Sequence, residues 1–137
     1  MHIAIDGFGA DIDKVADADN VREFLDECCK SLKMKKISET VVTYYEAPEV
    51  NDSGVSGFVM IAESHISVHT FPERAYVNID VFSCKDFDDK RALQQIKEAF
   101  SLDQAKVWVI GRGLDYSRPS FRGSVQRGRA TESVIRV

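Results

Sequence analysis

The chain has 137 residues, the length of one domain of ordinary size. Hydrophobic residues make up 44% of it and charged residues 29%, which is typical of a globular protein and excludes a disordered chain. Its net charge of -4 argues against broad, non-specific binding to nucleic acid. Neither an apolar run of roughly 18 residues nor a signal-peptide pattern is recognisable, so we expect a cytoplasmic protein without a membrane span.

The chain begins with a pattern typical of a strand followed by a helix. Apolar residues alternate over 3–5, and the predicted strand ends in a glycine turn at 7–9. The turn lacks the third glycine of a dinucleotide-binding fingerprint, so we interpret it as a turn only. Apolar residues at helical spacing over 21–32 predict the first helix, with Asp17 or Asp19 as its cap.

The three cysteines indicate neither a disulfide framework nor a zinc site. Cys28 and Cys29 are adjacent and Cys84 is isolated, so no CxxC spacing exists. Because Cys28 and Cys29 fall within the predicted helix, we expect both to be buried as small apolar residues. Cys84 is considered below with the chemistry.

The middle of the chain predicts a series of strands. Residues 40–45 are β-branched or aromatic and form the second predicted strand, and a polar loop follows at 46–54. Two further strand-like runs, 55–62 and 64–71, meet at the bond between Glu63 and Ser64. A fifth strand is predicted at 75–84.

A second helix and a last strand complete the predicted domain. Apolar residues at 93–100 have helical spacing, and Asp86 or Asp88 can cap that helix. A strand follows at 106–110. We therefore predict an α+β fold, a two-layer α/β sandwich with an antiparallel sheet and two helices on one face.

The tail from 111 to 137 differs from the rest in composition. It has few large apolar residues, and we predict a loosely ordered extension. An alternative is an arm that contacts RNA or another anion. Both interpretations depend on six arginines: Arg112, Arg118, Arg122, Arg127, Arg129 and Arg136.

Strand alternation predicts a polar face in the middle of the sheet. Residues Ile66 and Val68 share one face of their strand, whereas His65, Ser67 and His69 share the other. The neighbouring strand alternates in the same way, with Val77, Ile79 and Val81 on one side and polar or aromatic residues on the other. The polar face either lines a site or is exposed to solvent, and alternation alone leaves both interpretations open.

Three chemistries compete for this polar face. A zinc site at His65 and His69 is disfavoured, because the spacing of four would suit a helix and the composition predicts a strand. A nucleophilic pair of Cys84 and His69 would make a thiol hydrolase, although no signature surrounds the cysteine. The third possibility is chemistry at the bond between Glu63 and Ser64.

Two segments resemble a known family. The run from 54 to 73 contains Glu63-Ser64-His65 followed by His-Thr-aromatic-Pro-Glu, and 76–84 ends in Asp-x-Phe-x-Cys. These segments resemble the processing region of the small prokaryotic S-adenosylmethionine decarboxylases. The resemblance is dense over about 30 residues, and the order of elements agrees over 1–110, which we expect to be a single pyruvoyl-decarboxylase domain.

The resemblance implies a proenzyme that cleaves itself. Ser64 would attack the carbonyl of Glu63, and the resulting ester would be eliminated, leaving a β chain of residues 1–63 and an α chain from Ser64. The new amino terminus would carry a pyruvoyl group, which forms a Schiff base with the substrate amine and accepts electrons as carbon dioxide leaves. No metal or added cofactor is implied. The product would enter polyamine (spermidine) biosynthesis.

The resemblance also implies roles for individual residues. His69 matches the residue that transfers the proton during processing, and Ser56 matches a serine that assists it. Cys84 matches the general acid that reprotonates the decarboxylated carbon. Ser64 and His69 have opposite strand parity, which predicts a strained or bulged junction between Glu63 and Ser64.

The substrate-binding residues follow the family pattern only in part. Phe71 matches a residue that stacks on adenine and Glu73 one that binds ribose hydroxyls. A small aliphatic residue, Val50, stands where a stacking residue is expected. Three acidic residues of the same loop would suit a guanidinium or ammonium group: Glu46, Glu49 and Asp52.

These departures leave the substrate open. S-adenosylmethionine is the first prediction, and arginine or ornithine decarboxylation by the same pyruvoyl group is the alternative. A non-enzymatic homologue is a third possibility. The family pairs two αβ protomers, so we expect a homodimer in which 46–53 and 71–73 come from the neighbouring protomer. We expect no nucleic-acid or membrane partner.

Overall fold

A computed structural model describes residues 1–112 and 130–136. The described strands are β1 (His2–Phe8), β2 (Lys35–Lys36), β3 (Val41–Tyr45), β4 (Gly54–Ala62), β5 (Ser64–Phe71), β6 (Tyr76–Ser83), β7 (Gln104–Ile110) and β8 (Ala130–Arg136). The helices are α1 (Ile12–Ala16), α2 (Ala18–Ser31) and α3 (Asp89–Phe100). Two single 3₁₀ turns, Val50–Asp52 and Pro72–Arg74, flank β4 and β5.

The strands form one antiparallel sheet in the order β2-β4-β5-β6-β1-β7-β8, with β3 pairing to β4 beside β2. β4 and β5 make a tight hairpin, because Ile61 pairs with Ser64 and only Ala62 and Glu63 lie between them. The sheet therefore presents the bond between Glu63 and Ser64 at a turn.

The helices of the described residues pack on one face of the sheet. The α2 side chains Val21, Phe24, Leu25, Cys28 and Cys29 are buried, as are Ala92, Ile96 and Phe100 of α3. They cover the inward side chains of the central strands, which include Ile3, Ile5, Ile66, Val68, Ile79 and Val81. The predicted two-layer α+β architecture is confirmed.

The helix caps and the burial of two cysteines also agree with the sequence pattern. The carboxylate of Asp17 accepts a hydrogen bond from the backbone N–H of Asp19 at the start of α2. Asp88 does the same for Arg91 at the start of α3. Burial raises the pKa of Cys28 to about 12 and that of Cys29 to about 11, so both thiols stay protonated at neutral pH.

Three elements differ from the prediction. The helical layer has a third member, α1, whose five residues bury only Val15 and give no readable period. The two-residue β2 is made of lysines and has no apolar signal. β1 continues through Gly7, where a Cβ would lie 2.7 Å from Leu102, so that glycine allows a close approach and the turn falls at Gly9 with φ +65°.

The predicted C-terminal extension falls mostly outside the described residues. Within it, 130–136 form β8, which pairs with β7 along its whole length and so corrects the expectation of a loosely ordered segment there. Thr131 and Val134 are β-branched and suit a strand, and the pairing satisfies the backbone groups at the edge of β7. The arm contacting RNA or an anion lies largely among residues the structure does not describe.

None of the helices in the described ranges combines the length and the apolar character that crossing a bilayer requires.

Candidate active site

The sheet has a second face, which carries the polar residues predicted from strand alternation. We call it the open face, and define it by the outward side chains of β4, β5, β6 and β1. Its side chains are exposed or half-buried, whereas their neighbours in sequence are buried. The members used below are Ser56, Phe58, His65, Ser67, His69, Asn78, Asp80, Phe82 and His2.

Ser56 and His69 form a pair near one end of this face. They are register partners on β4 and β5, and the Ser56 hydroxyl is 2.9 Å from Nδ1 of His69. The hydrogen bond fixes the imidazole ring and leaves its Nε2 available for proton transfer. The sequence-predicted processing residues are thus in contact.

A small pocket of about 210 Å³ adjoins this pair. Its walls include the pair, one residue of the Val50–Asp52 turn and residues of β3, β4 and β5. The lining residues are Tyr45, Asp52, Gly54, Ser56, His69, Thr70 and Phe71. A small molecule bound there would lie against His69.

The bond between Glu63 and Ser64 lies at the other end of β5. The backbone N–H of Cys84 donates to the carbonyl oxygen of Glu63 at 3.3 Å, the carbonyl that nucleophilic attack would make into an oxyanion. Ser64 has φ +139°, a conformation that residues with a side chain rarely adopt. The positive φ interrupts regular strand alternation at Ser64, in line with the strained junction expected there. Lys85 Nζ lies 3.6 Å from Glu63 Oε1.

The structure does not bring all the predicted catalytic residues together within one chain. Ser64 and His69 are five residues apart on β5, which corresponds to about 16 Å of strand. Cys84 lies six residues beyond Asn78, the register partner of His69, so it is also distant from that histidine. The hypothesis of a Cys84–His69 nucleophilic pair is therefore wrong within a single chain.

The predicted substrate-binding residues lie on the two 3₁₀ turns or directly before them. Phe71 is half-buried and its ring centroid is 5.8 Å from that of Tyr76, whereas Glu73 is exposed. Val50 and Glu49 are exposed on the first turn. Asp52 is also exposed, and its carboxylate accepts a hydrogen bond from Arg74 at 2.8 Å.

The sequence predicted the outward residues of β6 but not the contacts that His2 and Arg112 make with them. His2 Nε2 lies 2.7 Å from Asp80 Oδ1, and Arg112 stacks 3.9 Å above the ring of Phe82. Burial is the main cause that raises the pKa of Tyr76, which accepts a hydrogen bond from Asn78. The alternation of β1 contained a signal, since His2 and Asp6 fall opposite the apolar Ile3 and Ile5.

His65 is held between aromatic rings rather than beside other metal ligands. Its ring stacks on Phe58 at 5.3 Å and meets Phe82 edge-on at 5.8 Å. Within residues 1–112 and 130–136, no group of three or more His, Cys, Asp or Glu side chains is arranged to hold a metal ion.

Comparison with known proteins assigns the family. The family model described as S-adenosylmethionine decarboxylase matches residues 1–113. The chain belongs to this family. The resemblance seen in the sequence is thereby confirmed.

Individual relatives agree with the assignment. An S-adenosylmethionine decarboxylase proenzyme of Pyrococcus abyssi (strain GE5 / Orsay) is 35% identical over 125 residues, which cover 90% of this chain and 86% of that protein. A proenzyme of the same name from Clostridium botulinum (strain Langeland / NCTC 10281 / Type F) is 32% identical over 113 residues, covering 82% and 92%. The crystal structure of the adenosylmethionine decarboxylase from Aquifex aeolicus VF5 matches with a TM-score of 0.68 at 31% identity, covering 88% and 95%. Nothing in these matches favours the arginine or ornithine alternative.

Proposed function

We propose that this chain is a self-cleaving proenzyme whose mature form decarboxylates S-adenosylmethionine through a pyruvoyl group. The single observation that carries the proposal is the contact between the Cys84 N–H and the carbonyl oxygen of Glu63, at a serine with positive φ. It supports attack at that carbonyl. Family membership supports the reaction and the substrate.

Cleavage proceeds in two steps at Ser64. Its hydroxyl oxygen bonds to the carbonyl carbon of Glu63, and as the C–N bond breaks the nitrogen of Ser64 takes the proton, which converts the amide to an ester. The Cys84 N–H stabilises the oxyanion that forms on the way. Removal of the α-proton of Ser64 then expels the Glu63 carboxylate, and water replaces the remaining nitrogen, which leaves as ammonia.

The mature enzyme needs the same residues for a second purpose. The pyruvoyl group supplies a carbonyl that binds the substrate amine and accepts the electron pair released with carbon dioxide. Cys84, beside the cleavage site, serves as the acid that returns a proton to the reacting carbon. Phe71 and Glu73 bind the nucleoside, as the family pattern implies. We place the reaction in the cytoplasm, as a step toward spermidine.

The separation along β5 supports a site shared between two copies of the chain. Ser64 and Cys84 lie at one end of β5, and Ser56 and His69 lie near the other, so His69 of one copy serves Ser64 of the second. The open face and the adjoining strand β3 supply apolar surface for such pairing, since Met60 is 45% exposed, Phe58 41% and Val41 of β3 62%. This arrangement makes a homodimer the functional unit.

Intact mass under denaturing conditions tests self-cleavage. We expect fragments of 63 and 74 residues, the longer one lighter by one ammonia than a chain starting with serine. Ser64→Ala, which removes the nucleophile, is expected to remain a single uncut chain, and Ser67→Ala is the matched control that still cleaves. Release of carbon dioxide from S-adenosylmethionine, compared with arginine and ornithine, then tests the substrate. An uncut wild-type chain would contradict the proposal.

Co-expression of two inactive variants tests the shared site. Ser64→Ala has no nucleophile and His69→Ala has no proton acceptor, so neither cleaves alone. In mixed dimers, His69 of the Ser64→Ala chain faces Ser64 of the His69→Ala chain, and we expect the His69→Ala chain alone to be cut. Absence of cleavage in verified mixed dimers would exclude the shared site while leaving the Ser64 mechanism intact.

A further inference from the structure

The two 3₁₀ turns beside the pocket are joined by one arginine. Arg74 ends the Pro72–Arg74 turn, and its Nη2 donates to Asp52 Oδ1 at 2.8 Å. Its Nε donates to the carbonyl oxygen of Asn51 at 3.0 Å. Two donors of one planar guanidinium therefore hold the Val50–Asp52 turn at a fixed distance from the turn that carries Glu73 and directly follows Phe71.

Of the three acidic residues that the sequence offers to a cationic substrate, one lines the pocket. Asp52 is among the lining residues, whereas Glu46 and Glu49 are not. Asp52 already accepts one hydrogen bond from a guanidinium of its own chain, so part of its charge is neutralised. An incoming guanidinium would compete with Arg74 for this carboxylate.

We propose that Arg74 is a positioning and specificity-determining residue: it fixes the Val50–Asp52 turn over the pocket beside His69, and by pairing with Asp52 it weakens recognition of guanidinium substrates. The proposal rests on the proposed function, because the pocket must hold the part of the substrate that lies away from its reacting amine and carboxylate. Arg74 touches neither the cleavage site nor the Ser56–His69 pair, so its loss changes substrate binding and not processing.

The test uses Arg74→Gln, Asp52→Asn and the double variant, with Arg91→Gln as the control for loss of an exposed arginine on α3. We expect Arg74→Gln to raise KM for S-adenosylmethionine roughly three- to tenfold with little change in kcat, the size expected for one exposed ion pair and its positioning effect. Because Arg74→Gln leaves the Asp52 carboxylate available to L-arginine, the inhibition constant of L-arginine is expected to fall by a similar factor. Asp52→Asn is expected to raise KM for S-adenosylmethionine in the same way without lowering the inhibition constant of L-arginine.

The double variant separates specificity from loss of structure. Without Asp52 there is no carboxylate to attract arginine, so the double variant has the raised KM of the single variants without stronger inhibition by arginine. Equal arginine inhibition in Arg74→Gln and wild type, or the same stronger inhibition in the double variant, would overturn the proposal. Arg74→Lys keeps the charge and is expected to stay close to wild type in arginine inhibition, which gives a second reading if Arg74→Gln folds poorly.

Failure of the proposed function would look different. Wild-type protein that cleaves itself but releases no carbon dioxide from S-adenosylmethionine would contradict the function before any variant is made. An active wild type with unchanged Arg74→Gln kinetics would contradict the role of Arg74 alone. Intact mass of every variant, which reports cleavage independently of turnover, is measured alongside.

Discussion

The two faces of β5 have opposite requirements although their residues alternate along one strand. Ile66 and Val68 are fully buried under the helices, and their identity follows from apolar burial. His65, Ser67 and His69 face outward, where burial demands little, so a residue there can be selected for chemistry, as we propose for His69. Substitutions one position apart on β5 should therefore separate the stability of the protein from its activity.

The largest difference in unfolding free energy is expected between substitutions of two neighbouring residues on the two faces of β5. Ile66→Ala removes a fully buried side chain beneath the helices and is expected to cost about 2–5 kcal/mol of unfolding free energy. Ser67→Ala, one residue along and outward, is expected to stay within about 0.5 kcal/mol of wild type. Urea unfolding measures both.

The measurement is made in the Ser64→Ala background so that each protein is one uncut chain, and at one protein concentration because pairing adds to apparent stability. A cost for Ser67→Ala equal to that for Ile66→Ala would mean that the open face is packed as tightly as the covered one.

Gly54 on β4 is expected to affect both stability and activity, unlike the residues of β5 compared above. A Cβ at Gly54 would lie 1.9 Å from the backbone oxygen of Thr70, which cannot move without shifting β5. Gly54→Ala is therefore expected to cost about 3 kcal/mol although it lines the pocket. Gly57 lies under α2, where a Cβ would meet side chains of Leu25 and Val21 at 2.7 and 2.9 Å, and Gly57→Ala is expected to cost about 1 kcal/mol.

The same unfolding assay compares the two glycine variants, with intact mass as a second readout. Gly54→Ala is expected to slow self-cleavage because Ser56 and His69 flank the distorted segment, whereas Gly57→Ala is expected to cleave normally. The reverse order of stability would show that Thr70 adjusts more readily than the α2 side chains.

The sequence predicted most of the sheet, and the family resemblance named the candidate site residues without their arrangement in space. Alternation over β5 and β6 predicts both strands to within a residue, because one face of each is buried. It says nothing of α1, which buries a single side chain, or of β2, whose two lysines give no apolar signal. Family resemblance pointed to Ser64 and His69.

The distance between Ser64 and His69 could not be predicted without knowledge of the strand register. Five positions of extended chain separate residues that a linear motif presents as neighbours. Arg74 was equally invisible, because its partners Asn51 and Asp52 are more than 20 residues away in sequence and gave no signal of pairing.

The smallest expected effect concerns the rim of the helical layer, where Asp26 of α2 is 2.6 Å from Lys36 Nζ and 2.5 Å from Thr40 Oγ1. These hydrogen bonds, of which the one from Lys36 has the largest effect, hold the pKa of Asp26 below its usual range.

A carboxyl group whose pKa is lowered on folding stabilises the fold at pH values above its unfolded pKa of about 4, and this contribution is lost as the pH falls through the folded pKa. Asp26→Asn is therefore expected to cost less than about 1 kcal/mol at pH 7, because the pair is partly exposed and screened, and this cost is expected to shrink as the pH is lowered from 7 to 3. Urea unfolding at both pH values measures the difference, and Glu27→Gln, which removes a more exposed pair with Lys30, is the control. A difference that persists undiminished at pH 3 would assign the stabilisation to the shape of the Asp26 side chain rather than to its charge.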